Sequence, residues 1–446
     1  MVTSSGYDRR LTLIKEIVDV MKNKRVVVTG FSVVTPIGIG NKDFWSNHVN
    51  GYSGVKKINS FTIPENMSQI AGVVDDFDVT RLGLEDSEVT SLDRSFQFAL
   101  TASKKAVKMA GLCNIDETNS SRYNVHIATA ISNIEKMEKA LAEWSDNGKQ
   151  QIPRKNIQDH AVYDWFNFDS VSKIIAKKLG FQGEHSVIAT GCTGGVDAVG
   201  FAFQMIRDGE ADVVLTGSTE APITPLVVSS FSKINATSRN NMNPEKASRP
   251  FDLNRDGFVL AEGCGILILE SLEHALNRNA DIYAEVLGYG SCNNAIHMTD
   301  IPEDGESIAK SIQLSLVDAG VNSEEIDFVN LHGSSTKQND FAETEAMKKV
   351  FGERYQDIPV TSVKSQVGHA LSASNSIEIV SSIMSLSTGI VPPTINLENK
   401  DPKCDLNVVT DINKQFPINK VLKISSGFSG IHSSLVLGKF KGETNE

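Results

Sequence analysis

The chain has 446 residues, 40% hydrophobic and 22% charged, which is enough for two domains or for one large pseudo-duplicated body with a substantial core. Its formal net charge of −12 argues against nucleic acid or an anionic membrane as the default partner. No apolar run approaches the roughly 20 residues that span a bilayer.

The first segment, residues 1–23, places Leu11, Ile14, Ile17, Val18 and Met21 at helical spacing. It lacks the apolar core and small-residue cleavage site of a secretory signal, so a short amphipathic extension packed on the body is expected. RVVVTGFSVVTPIG then opens as a buried-type strand with a Gly/Pro turn, and SFQFALTASKKAVKMAGL follows with helical periodicity closed by Gly111. Further on, YNVHIATA reads as a strand, VIATGCTGGVDAVGFAFQMIRDG as strand, turn and helix, and ADVVLTGSTEAP as a strand. SLEHALNRNA, around 270–280, reads as a helix at a junction. The second part repeats that order: IDFVNLHGSS, then VTSVKSQVGHALSASNSIEIVSSIMSLSTG, then VLKISSGFSG, the two long helices ending at Gly209 and Gly389. The alternation indicates a layered α/β architecture. The absence of a Pro- or Ser-rich linker indicates one compact body.

The five cysteines, Cys113, Cys192, Cys264, Cys292 and Cys404, include no C-x-x-C pair. That scatter suits a reducing cytosol and no metal site, so a cytoplasmic, metal-free protein is expected. Four of the thiols read as small buried hydrophobes. Cys192 differs because Gly191 permits a sharp turn before it and Gly194 and Gly195 strip side chains from the helix start after it. A thiol there is open to two readings. It is either a buried filler or a nucleophile acidified by the helix dipole, with free backbone amides for an oxyanion.

His332 ends the strand FVNLHGSST, and His369 sits in SVKSQVGHA, at the turn that the repeat pairs with the Cys192 turn. Strand C-terminal ends are where α/β folds collect their sites. Lys364 lies five residues before His369, and Glu343 lies in NDFAETEA; if buried near the histidines they would set protonation and orientation. Neither G-x-G-x-x-G nor a Walker A lysine occurs. One cysteine and two histidines without an obvious acidic third member do not form a peptidase triad. They fit acyl transfer followed by carbon–carbon bond formation, with imidazole N–H groups stabilising an enolate.

These motifs resemble the β-ketoacyl synthases of the thiolase-like fold. The resemblance runs in order through TGCTGGVDAVG, RPFDLNRDGFVLAEG, NLHGSSTKQND, SVKSQVGHA and SSGFSGIHSS, from about residue 24 to 440. APITPLVVSSF, INATSRN, CNNAIHMTD, HGSSTKQNDFAETEA and VPPTINL are closer to the ketosynthase alpha subunit of bacterial type II (aromatic) polyketide synthases. GFSGIHSS also lacks the asparagine with which fatty-acid ketosynthases usually end their GFGGxN.

The resemblance implies an α/β thiolase-like fold of two pseudo-duplicated βαβαβ halves in an α/β/α/β/α arrangement. Residues 24–270 would carry the nucleophile, 271–440 the His/Lys/His set, and 441–446 would form a tail. It implies that Cys192 accepts the growing chain from an acyl carrier protein. His332 and His369 would support decarboxylation of malonyl units, and Lys364 would orient the site with Glu343 as its charge partner. The amides of Cys192 and Phe428 would form the oxyanion hole, Phe428 would gate the pocket, and Ser334 and Thr336 would approach the malonyl carboxylate. It implies no permanently bound cofactor, the phosphopantetheine arm belonging to the carrier. The partners it implies are that carrier and a cysteine-less homologue, the chain length factor.

The rivals are a fatty-acid elongation ketosynthase acting as a homodimer, the silent partner itself, and a biosynthetic thiolase. The retained Cys192 argues against the silent partner, and the lack of a second cysteine in the GFSG loop argues against the thiolase. Ser429, Ser372, Asn375 and Ser335 stand where relatives usually have glycine, which puts gating and the backbone near His369 in question. EDSEVTS replaces the basic carrier-docking residues of fatty-acid relatives, so docking would use other basic positions or the partner subunit.

Overall fold

The computed structural model describes residues 24–442 except 76, 79–83, 86–91, 114–119, 154–155 and 157–166. The expected extension 1–23, nearly all of EDSEVTS and most of the 441–446 tail lie outside the described residues.

Eleven strands carry the architecture. The first five are β1 (Val26–Thr35), β2 (Tyr123–Ala128), β3 (His185–Ile188), β4 (Val213–Glu220) and β5 (Gly263–Ser271). The other six are β6 (Ala284–Asn293), β7 (Phe328–Asn330), β8 (Pro359–Thr361), β9 (Asn407–Val408), β10 (Lys420–Ser426) and β11 (Ile431–Gly438). They hydrogen-bond in the order β9-β8-β7-β10-β11-β6-β1-β5-β4-β2-β3.

That order contains the repeat. Counted within its own half, with the added edge strand β9 left aside, each set of five runs first, fifth, fourth, second, third. In both halves the first three strands pair antiparallel and the last three parallel. The halves join through a short antiparallel contact, Val26–Val28 against Ala284–Val286. The continuous apolar runs of β1, β4 and β5 are buried on both faces, as strands covered by helices on each side must be.

Two helices fill the space between the half-sheets: α2 (Gly194–Arg207), which follows the cysteine turn, and α5 (Ser372–Thr388), which follows the His369 turn. Residues 372–383 of α5 are all buried, so even the serines of that stretch and the helix's one glutamate lie inside the protein. Helix α1 (Arg94–Met109) covers the outer face of the first half, and α3 (Glu306–Ala319) and α4 (Lys337–Phe351) cover the second. The layers are therefore helix, sheet, helix, sheet, helix. The junction helix spans Leu272–Asn277. The pseudo-twofold sets the C-terminal ends of β3 and β8, with their two strand-to-helix turns, face to face in the middle layer.

Candidate active site

The nucleophile turn is built from its glycines. Gly191 has φ +62, a backbone region open to glycine at no steric cost, and it turns the chain sharply before Cys192. A side chain at Gly195 would put a Cβ 2.7 Å from both Ser218 Oγ and Ser372 O, so only glycine lets α2 approach α5 this closely. From α5, Ser372 Oγ donates to the Gly191 carbonyl at 2.7 Å, and Asn375 Nδ2 donates to the Cys192 carbonyl. Ser372 and Asn375 thus brace the cysteine turn rather than narrow the gate.

Cys192, His332, His369, Ser334, Thr336 and Phe428 line one narrow cavity. The half-buried Cys192 thiol is faced by its own backbone amide and by that of Phe428. The dipole reading of the sequence anticipates an acidified thiol, and the structure reverses it. Burial pushes the thiol up to about 11, with the Phe428 amide and the Lys364 charge opposing only in part.

The two imidazoles meet edge to face with centroids 5.2 Å apart. His332 is presented by the loop after β7, which Glu343 of α4 holds by accepting the His332 and Gly333 amides at 2.5 and 2.8 Å. His369 leans edge-on against Phe258, and its Nδ1 is 3.1 Å from Ser374 Oγ, which also accepts the Ala370 amide at 2.8 Å. Both imidazoles are held well below 6.5, first by burial and then by the Lys364 charge. They are neutral at pH 7.

Lys364 assigns the tautomer of His332. An ammonium only donates, and Lys364 Nζ lies 2.8 Å from the His332 carbonyl and 3.4 Å from Nδ1. Nδ1 therefore accepts and Nε2 carries the proton. At His369, the Ser374 hydroxyl has taken an amide and its own hydrogen is free for Nδ1, which leaves Nε2–H as the donor there too.

One expected pairing is replaced. Glu343 is not the counter-ion of Lys364, because both its oxygens are committed to the His332 loop and to Asn339 Nδ2 at 3.0 Å. Lys364 instead pairs with Glu378 of α5 at 2.5 Å, both fully buried. The sequence reading missed Glu378, although it is the sole charge in a 17-residue helix of otherwise apolar and small polar residues. A carboxylate so placed has to be buried and paired.

The inner cavity, about 40 Å³, has room for a few water molecules at most. Past Phe428, Thr336 and Ile301 it meets an outer vestibule of about 420 Å³ that Lys337 and Asp256 also line. Phe428 sits between the two, its ring 6.5 Å from that of Phe231. Ser429 has φ 67, so it holds the left-handed conformation that glycine normally supplies; its amide bonds the Met298 carbonyl at 2.6 Å and its carbonyl accepts Asn293 Nδ2. Ser335 does the same at φ 68, with its hydroxyl taking the Arg249 amide. Among the described residues no group of three or more His, Cys, Asp or Glu side chains could hold a metal ion, and no helix is long and apolar enough to cross a membrane.

Two family models match the chain: Beta-ketoacyl synthase, N-terminal domain, over residues 23–275, and Beta-ketoacyl synthase, C-terminal domain, over residues 283–398. The tetracenomycin polyketide synthase ketoacyl synthase alpha subunit of Streptomyces glaucescens is 40% identical over 418 residues, 94% of this chain and 98% of the relative. The 3-oxoacyl-[acyl-carrier-protein] synthase 2 of Synechocystis is 38% identical over 421 residues, 94% and 99% of the two chains. Among solved structures, a type II polyketide synthase acyl-carrier protein in complex with its ketosynthase bound to the hexaketide (AntDE:AntF) superposes with a TM-score of 0.87 at 43% identity, over 94% of this chain and 100% of that one. The ishigamide ketosynthase/chain length factor gives 0.85 at 32% identity, with 94% and 100% covered. With a thiol, two neutral imidazoles and two amides in one cavity on a doubled α/β fold, the chain belongs to the β-ketoacyl synthase family and is an acyltransferase of the ketosynthase kind.

Proposed function

We propose that this chain is the ketosynthase alpha subunit of a type II polyketide synthase, extending a Cys192-bound chain by decarboxylative condensation. The observation that carries the chemistry is one cavity lined by the Cys192 thiol, faced by the amides of Cys192 and Phe428, and by two imidazoles whose Nε2 carries the proton. In the first half-reaction Cys192 Sγ attacks the carbonyl of an acyl thioester borne on the phosphopantetheine arm of an acyl carrier protein. The two amides hold the resulting oxyanion, and collapse releases the carrier thiol. In the second, a malonyl thioester enters past Ser334 and Thr336. Its C–C bond to the carboxylate breaks, CO2 leaves, and His332 and His369 donate to the enolate oxygen without having to charge. The enolate carbon attacks the Cys192 thioester and expels the thiolate, which leaves a β-ketoacyl thioester on the carrier.

A cysteine-less partner, the chain length factor, is part of this reading. Among the described residues strand β3 is one of the two end strands of the large sheet, and beside it Phe201 is 39% exposed on α2. An open edge of this kind invites a second chain. The acidic surface suits a cytoplasmic enzyme without nucleic-acid or membrane partners.

The test is co-expression with the partner and carrier. Wild type should form polyketide product and Cys192→Ala should form none; full product from that variant would overturn the assignment. The fatty-acid reading has one observation in its favour, the near-equal identity to the Synechocystis enzyme. It requires the chain alone to elongate fatty-acyl carriers as an active homodimer.

A further inference from the structure

Lys423 lies in the middle of β10, between Leu422 and Ile424, which pack in the apolar core of the second half. Its side chain is completely buried, and its ammonium stands 2.7 Å from Glu378 Oε2. Its remaining partners are the carbonyl oxygens of Ile424 and, at 3.4 Å, Leu331. Glu378 Oε1 is held by Lys364 at 2.5 Å. One carboxylate therefore faces two lysines: Lys364, which hydrogen-bonds Oε1 and touches His332, and Lys423, which forms an ion pair with Oε2 and gives its hydrogen bonds to the Ile424 and Leu331 carbonyls.

Stability does not explain this second lysine. A buried ammonium is costly to desolvate, and an apolar residue of the same length would often serve the core as well or better. What Lys423 adds is orientation. With Lys364 hydrogen-bonded to Oε1 and the Lys423 charge set beside Oε2, rotation of the Glu378 carboxylate is opposed, and the Lys364 ammonium is kept against Nδ1 and the carbonyl of His332. The charges facing Lys423 are Glu378 from α5, Lys364 from the turn 364–367, and Glu343 from α4.

We propose that Lys423 is a positioning residue for decarboxylation, acting through Glu378 and Lys364 on the proton-donating face of His332. This rests on the ketosynthase reading above. Its positive charge also lies among those that keep His332 and His369 neutral, behind that of Lys364.

The experiment separates the two half-reactions in the complete complex with partner and carrier. Acylation of Cys192 is read by intact-protein mass, and CO2 release is read from malonyl-carrier. Lys423→Met should lower CO2 release by roughly 10–100-fold, the range seen when a group that orients a functional side chain is lost, and change Cys192 acylation little. Glu378→Gln should lower CO2 release too, and adding Lys423→Met to it should cost little more, since both act through one carboxylate. If Lys423→Met does not accumulate as a folded complex, Lys423→Gln, which keeps a donor, makes the same comparison. Equal loss of both half-reactions, no loss of CO2 release, or fully additive effects in the double variant would each overturn the proposal. A wild-type complex that neither acylates Cys192 nor releases CO2 would instead count against the ketosynthase reading itself.

Discussion

The reactivity of Cys192 is where burial and helix dipole make opposite predictions, so its pH dependence decides between them. With the thiol pushed up to about 11 from an ordinary 9.0, the thiolate fraction at pH 8 falls from about one tenth to about one thousandth. Alkylation by a small haloacetamide should then be about 100-fold slower than for a simple thiol of equal access. Access does not change with pH, so the shape of the rate profile isolates the ionisation. The peptide carrying Cys192, quantified by mass spectrometry between pH 7 and 10.5, should gain label about tenfold per pH unit without levelling off. Lys364→Met removes a charge that favours the thiolate, and should slow labelling further at each pH. A rate that plateaus by pH 8.5, or that Lys364→Met leaves unchanged, would refute the dominance of burial.

The imidazoles act in their neutral form and are held well below 6.5, so their own protonation should stop CO2 release from malonyl-carrier only well below pH 6. Lys423, lowered to about 8, and Glu343, raised to about 7, titrate above that, so a half-loss near 6.5 that persists in both Lys423→Met and Glu343→Gln would mean that one imidazole titrates normally. Gly195→Ala drives a Cβ into Ser372 O and Ser218 Oγ, and should cost about 1–3 kcal/mol in urea unfolding, with unchanged stability counting against the close helix approach. Ser429→Gly relieves a left-handed backbone worth roughly 1 kcal/mol while keeping both backbone bonds of the gate; its melting temperature should rise slightly, and a clear drop would show that the serine side chain is needed. Phe201→Asp charges the exposed face beside β3. It should abolish co-purification with the partner while circular dichroism stays native, and an intact complex would move the interface elsewhere.

The repeat was readable because β2, β3 and β4, and β7, β8 and β10, are apolar runs in the same order with a glycine-marked turn in the same place. Sheet order was not readable, because it depends on pairings such as Val26 with Ser271 that are far apart in the chain. Cys192, His332 and His369 stood out because glycine flanked each of them at a strand end. Glu378 and Lys423 did not. Their meaning lies in a contact between α5 and β10 across 45 residues, although a lone charge between Ile377 and Ile379, or between Leu422 and Ile424, is itself a sign of buried pairing. The pairing assigned to Glu343 failed for a related reason: sequence proximity to His332 does not say which of two buried carboxylates the Lys364 ammonium faces. The ionisation of the thiol stayed open between two readings in the sequence, because the turn reports the local dipole but not the depth of burial.

The most direct test follows carbon through the site. The alpha subunit with its partner would be given acyl-carrier and malonyl-carrier labelled at the free carboxylate, with peptide mass mapping and label release followed together. The expected result is an acyl group on the Cys192 peptide, loss of the labelled carboxylate as CO2, and a β-ketoacyl product on the carrier. An acyl group on any other residue, or a condensation product that retains the labelled carboxylate, would contradict decarboxylative condensation at Cys192.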